Sequence, residues 1–173
     1  YPFGRNRTVK TQLVRRVEVG FRTIPGAYTE PPAYEWNVQH GSGRRQRQDG
    51  EAMIWTGDEN LIDLTMIVQY RVASAADALF LIGDRTRDGS SKWDQVIRAL
   101  ALKGIASVMS QHHAREILSE RRGEIEVEIM ARLQQSLTVY SPPSHETPIF
   151  TVDAVCLGDV HPPLEVVPAF REV

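Results

Sequence analysis

Six apolar residues, Ile62, Leu64, Met66, Val68, Tyr70 and Val72, alternate without a gap and constrain this chain more than any other feature. Asp63, Thr65, Gln69 and Arg71 lie between them, joined by Ile67. Period two sustained over a dozen residues predicts a strand with one buried face. Gly57-Asp58-Glu59-Asn60, just before it, suits a turn. Gly, Asp and Asn tolerate positive φ, and Asp and Asn side chains bond nearby backbone. "AMIWT" at 52–56 supplies the partner strand, so the segment reads as a β-hairpin. Asp58 and Glu59 then either open an active site or only turn a corner.

Residues 8–22 alternate in the same way. Val9, Leu13, Val17, Val19 and Phe21 share one face; Lys10, Gln12, Arg16, Glu18 and Arg22 share the other. One long half-buried strand is predicted. Pro25-Gly26 and Pro31-Pro32 mark a loop, "AYEWNV" reads as a short weak strand, and the Gly-containing polar run 39–51 reads as an exposed loop.

The pattern then changes period. Ser74 with Asp77 resembles a capping box ahead of a short helix in "ADALFLI", and Ser91 with Asp94 does so ahead of a helix over 92–109. That second helix is apolar nearly all round, through Val96, Ile97, Leu100, Leu102, Ile105, Val108 and Met109, as in a helix buried on several sides. Residues 112–140 read as continued helix, with Ile125, Ile129, Leu133 and Leu137 every four residues. "SPPSHETP" stops it. "IFTVDAVCLGDV" is a last strand, His161-Pro162-Pro163 breaks it, and "LEVVPAFREV" begins another helix. Strands, then helices, then one closing strand predict an α+β domain: a mainly antiparallel sheet with helices packed on one face, followed by the start of a C-terminal stalk helix.

Composition narrows the function. The chain has 173 residues, a size suited to one domain, and 42% are apolar, enough for a core. A net charge of -2 gives no general attraction to nucleic acid. The single Cys156 allows no internal disulfide framework, and its place within an apolar strand predicts a buried, inert thiol. No run reaches the roughly 18 apolar residues that span a bilayer. Both ends, Tyr1-Pro2-Phe3-Gly4 and the helix in progress at Val173, read as cuts.

Each constellation that could carry chemistry has a plainer reading. Acid–base catalysis needs carboxylates converging on one substrate, whereas Asp58, Glu59 and Asn60 sit side by side on a turn that points them apart. Asp84, Thr86, Asp88 and Gly89 loosely imitate a calcium loop, but position twelve is the neutral Gln95 where a bidentate acid is needed. His112, His113 and Glu116, with His145 or His161, would need helical i, i+4 spacing to hold zinc, and adjacent histidines diverge by about 100°. A Ser-His-Asp site assembles in space and leaves no local trace; GxSxG, P-loop and GxGxxG motifs are all missing. Arg44, Arg45 and Arg47 form a basic cluster without interleaved aromatics, read as a solvated loop or a contact for lipid headgroups. No catalytic, cofactor or metal-ligating residue is assigned.

"MIWTGDENLIDLTMIVQYRV" resembles the signature of the SPFH superfamily, also called band-seven or prohibitin-like, in its HflK branch. "VEVGFR", "ADALFLI", "SERRGEIEVEIMARLQQSL" and "VDAVCLGDVHPPLEVVPAFREV" continue the resemblance in register over about 17–173. Two stretches depart from it: "SQHHARE" stands where the family tends to carry a Gly and a helix cap, and "YSPPSHETPI" replaces a short Gly turn. The resemblance implies an SPFH domain over 1–161 and the start of the stalk helix at 162–173. It implies a non-enzymatic parent anchored in a bacterial inner membrane by a segment before Tyr1, with the periplasmic side favoured. It further implies a homo-oligomeric ring or cage, a HflC-type sister subunit, and restraint of the membrane AAA protease FtsH. No cofactor follows from it. A membrane-associated serine-type hydrolase and a lipid-binding microdomain organiser are the alternatives.

Overall fold

A computed structural model describes residues 7–24, 45–119, 121–141, 148–163 and 166. The predicted α+β architecture is present: an antiparallel sheet carries helices on one face. Its elements run β1 (Arg15–Val19), β2 (Phe21–Thr23), β3 (Arg45–Arg47), α1 (Asp49–Ala52), β4 (Met53–Trp55), β5 (Leu61–Val72), α2 (Ala75–Asp77), a π-helical turn (Ala78–Ile82), α3 (Lys92–Met109), α4 (Ala114–Ile117), α5 (Arg122–Val139) and β6 (Phe150–His161).

The alternating stretch is the axis of the sheet. β6 pairs one edge of β5 from Asp63 to Val72. Along the other edge, β4 pairs Leu61–Asp63 and β1 pairs Met66–Tyr70. All six alternating apolar side chains of β5 are buried, together with Val17 and Val19 of β1. They meet Ile97, Ala101, Ile105 and Val108 of α3 and the every-fourth ladder Ile125, Ile129, Leu133 and Leu137 of α5. Truncating one such side chain to Ala costs about 2–5 kcal/mol, so this single core carries much of the fold's stability. Tyr70 enters it with its hydroxyl donating to Asp94 Oδ1 at 2.6 Å, which ties β5 to the first turn of α3. Burial and that carboxylate together push the phenol far above its usual range.

An exposed sheet edge invites pairing with another chain. The edge of β6 facing away from β5 is closed by side chains of α5. Glu126 accepts from Leu157 N–H at 2.7 Å, and Gln134 accepts from Val152 N–H at 2.9 Å while donating to Phe150 C=O at 3.3 Å. The Arg122 guanidinium donates to the carbonyls of Leu157 and Gly158. Positions 122, 126 and 134 lie on one helical face, so α5 acts as a side-chain strand against β6.

Four expectations are corrected. The strand predicted over 8–22 spans only Arg15–Val19 and Phe21–Thr23, and Leu13 is exposed. Gly20 breaks it at φ 82°; a Cβ there would also sit 2.5 Å from Leu64 O, so no other residue fits the bend. The polar stretch expected to be loop contains β3, paired with β2, and α1. The helix expected over 112–140 is two helices, because Arg121 stands where the apolar ladder between Ile117 and Ile125 would continue. Cys156 is exposed. β6 slips register between Val152 and Ala154, and the extra Asp153 flips the parity of the strand, turning Val155 and Leu157 inward and Cys156 outward. The weak strand expected at "AYEWNV" and nearly all of the expected stalk helix lie outside the described residues. Among the described residues, no helix is long and apolar enough to cross a membrane.

Candidate functional site

The hairpin corner is a polar turn. Thr56 and Asn60 close it through Thr56 N–H to Asn60 C=O at 2.9 Å, and Glu59 takes the left-handed conformation at φ 61°. Asp58 organises the interior of the turn. Its Oδ1 accepts from the Thr56 hydroxyl at 2.5 Å, and its Oδ2 accepts from the Asn60 amide at 2.9 Å.

The corner does not end in water. Asp58 Oδ1 also accepts from Ala114 N–H at 3.0 Å, at the start of α4. Gly57 N–H reaches the carbonyls of His112 at 2.8 Å and Met109 at 3.1 Å, at the end of α3. A Cβ on Gly57 would lie 2.7 Å from Ser110 O, so the close approach requires glycine. The corner is therefore a clasp that joins the sheet to the α3–α4 junction. The departing stretch "SQHHARE" is the surface it grips. The Thr56 hydroxyl above all, then Ala114 N–H and the Asn60 amide, hold the Asp58 carboxyl down at about 2. A carboxylate locked in its ionised form by three donors is a poor general acid or base near neutral pH.

Next to the clasp lies the histidine cluster. His112 Nε2 is 3.0 Å from Glu128 and its Nδ1 is 3.7 Å from Glu116. Glu116 also accepts from His113 N–H at 3.0 Å and pairs with Arg121; the His113 N–H above all, then Arg121, hold its carboxyl below the usual range. His112 is thereby engaged by two carboxylates. His161 lies at the end of β6, buried, and His145 lies outside the described residues. Among the described residues no group of three or more His, Cys, Asp or Glu is arranged to hold a metal ion.

The remaining candidates also resolve into local structure. In the loop resembling a calcium site, Asp88 accepts from the Ser90 hydroxyl above all, then Thr86 and Ser90 N–H, which hold it at about 2, and Asp84 pairs with Arg7. Asp88 closes its own turn. Of the basic cluster, Arg47 pairs with Asp49 and Asp63, at 2.7 and 2.5 Å, and Arg45 lies 5.0 Å over the Phe21 ring and 3.9 Å from Asp159. These arginines fix β3 onto the sheet and are not a free solvated patch; Arg44 lies outside the described residues. Alongside them, Arg22 and Glu51 pair at 2.5 Å. Burial would raise the Glu51 carboxyl, but the Arg22 hydrogen bond and Gly20 N–H outweigh it and lower the carboxyl below its usual range.

A further feature is split between two helices and has no local motif. A cleft of about 290 Å³ runs between α3 and α5, with Lys103 on one wall and Arg132 on the other. Its only sequence trace is the lack of any Asp or Glu in 95–109 and in 129–140.

A sequence model of the SPFH domain / Band 7 family matches residues 7–173. The protein named Protein HflK of Treponema pallidum (strain Nichols) is 26% identical over 165 residues, which cover 95% of this chain and 43% of that protein. The chain therefore spans less than half the length of this relative.

Proposed function

The chain belongs to the SPFH domain / Band 7 family, and from that premise we propose that it is a non-catalytic building block of a membrane-associated assembly. Its similarity to Protein HflK supports the HflK-like branch. In it, residues 1–161 form the packed block and 162–173 begin a stalk that lies beside the stalks of neighbouring copies. The block is held at a bacterial inner membrane, on the periplasmic side, by a segment before Tyr1. Many copies, alone or with an HflC-like sister subunit, enclose a patch of bilayer as a ring or cage. The enclosure restrains an FtsH-type AAA protease by limiting which substrates reach it. Tethering to one plane raises effective concentration, so modest contacts suffice for assembly.

The observation that carries the proposal is the commitment of the corner. Asp58 heads the acidic turn, and its oxygens accept from Thr56, Asn60 and Ala114. We assign no catalytic, cofactor or metal role to any residue of the chain.

Two measurements test this. Sedimentation of the membrane-anchored parent in detergent should give a species of many copies; a single copy at every concentration contradicts the proposal. A broad serine-hydrolase probe should leave the protein unlabelled; covalent labelling of one serine supports the hydrolase alternative instead.

A further inference from the structure

The outward face of α5 is built like a contact surface. Val127 and Val139 are 61% and 79% exposed on it, although valine disfavours helix interiors and gains nothing from water there. Ala131, exposed and small, lies between them. Charge is sorted along the same helix. Arg122, Glu124, Glu126 and Glu128 fall in its first half; Arg122 and Glu126 are spent on β6, which leaves Glu124 and Glu128, and Arg132 is the one charged residue from 129 to 140. Across the cleft, Lys103 adds a second cation, and Ser107, Gln135, Ser136 and Tyr140 complete a polar lining. No carboxylate among the described residues pairs with Lys103 or Arg132, while carboxylates elsewhere on the surface are drawn into ion pairs.

A cationic cleft without a carboxylate calls for an anionic occupant. At about 290 Å³ it lies at the lower end of the range for small-molecule pockets, and suits a side chain better than a free ligand. The molecule itself presents matching acids. Glu124 has a side chain 70% exposed and is held only by the surface pair with Arg121, of a kind that adds little stability. Glu128 gives one oxygen to His112 and keeps the other available. Glu124 and Arg132 are eight residues apart, about 12 Å along the axis. A parallel second α5 in register would set like charges together. An antiparallel one would set acid against cation twice.

We propose that α5 docks antiparallel on the α5 of a second copy. The two-fold axis passes beside Ala131. Glu124 and Glu128 of each copy approach Lys103 and Arg132 of the other, and the Val127 and Val139 side chains are covered. The contact is isologous and closes at two copies. It is distinct from lateral ring contacts and does not depend on them; rings or cages would use it to join one to another.

Sedimentation velocity over a concentration series, on the chain described here, tests the contact. The wild type should show a reversible monomer–dimer equilibrium. Lys103→Glu with Arg132→Glu should weaken it about tenfold or more, and so should Glu124→Lys with Glu128→Lys, since each sets like charges across the axis. An equimolar mixture of these two variants should recover the dimer, because both sites are then attractive again. A strictly monomeric wild type, unchanged variants, or a mixture that stays monomeric overturns the proposal. A second test uses Ala131→Cys in a Cys156→Ser background: mild oxidation should yield a disulfide-linked dimer, and its absence counts against the two-fold axis. Loss of this dimer with intact multi-copy assembly of the anchored parent would reject the α5 contact and leave the scaffold reading standing.

Discussion

The corner at Asp58 and the cleft at Arg132 are both charged and both lie at the surface, yet the chain treats them in opposite ways. At the corner, polar groups are consumed. Asp58 is shared among Thr56, Asn60 and Ala114, and Gly57 N–H is shared between two carbonyls. At the cleft, Lys103 and Arg132 face each other across α3 and α5 without a described carboxylate partner. A surface charge satisfied within its own chain stabilises that chain. A like-signed pair left without a carboxylate adds nothing to the stability of its own chain and stays open to a partner. Motif reading pointed to the acidic turn, and the geometry points to the cleft.

If that contrast is right, substitutions at the corner and along the clasped elements should move stability, and substitutions at the cleft should not. The largest effect is expected for Gly57→Val. Its Cβ would meet Ser110 O at 2.7 Å, forcing the corner off the helix junction, and urea denaturation should show a loss of about 1–3 kcal/mol. Gln134→Ala comes next. It leaves Val152 N–H and Phe150 C=O without their partner at the sheet edge and should cost about 1–2 kcal/mol in the same assay.

Acid titration probes the corner more gently. Asp58 and Asp88 are both held at about 2, below the model-compound value of 3.8. A carboxylate depressed in the folded state contributes stability above its unfolded value and loses it as pH falls through the folded value. The thermal midpoint should therefore drop between about pH 4 and pH 2, and Asp58→Asn should flatten that drop and lower the midpoint at pH 7. The smallest effect is expected at the cleft, where Lys103→Ala and Arg132→Ala should each stay within about 0.5 kcal/mol of the wild type.

Much of this contrast was open to the sequence. The period-two run of β5 and the every-fourth ladder of α5 state their buried faces directly, and both faces are buried as expected. Such periodicities survive because one continuous face meets one core. What stayed hidden has a common cause: distant partners decide it. β3 has no apolar pattern and is held by Arg47 to Asp63 and by pairing with β2. Cys156 turned outward because the bulge at Asp153 shifts parity, and a bulge leaves no composition signal. Gly20 was visible as a residue but not as a bend, since its close approach to Leu64 O belongs to another strand. The corner itself was rightly placed as a turn, while its grip on Ala114 spans fifty-six positions and no local rule reaches that far. The cleft was hidden for the same reason, with one cation on each of two helices.

Amide hydrogen exchange at Gly57 and Ala114 tests the clasp most directly. In the wild type both amides should exchange as slowly as the core amides of β5. Asp58→Asn should speed Ala114 and leave Ile129 unchanged. Exchange of Ala114 at loop rates in the wild type would mean that the acidic turn holds nothing, and its carboxylates would again need a chemical explanation.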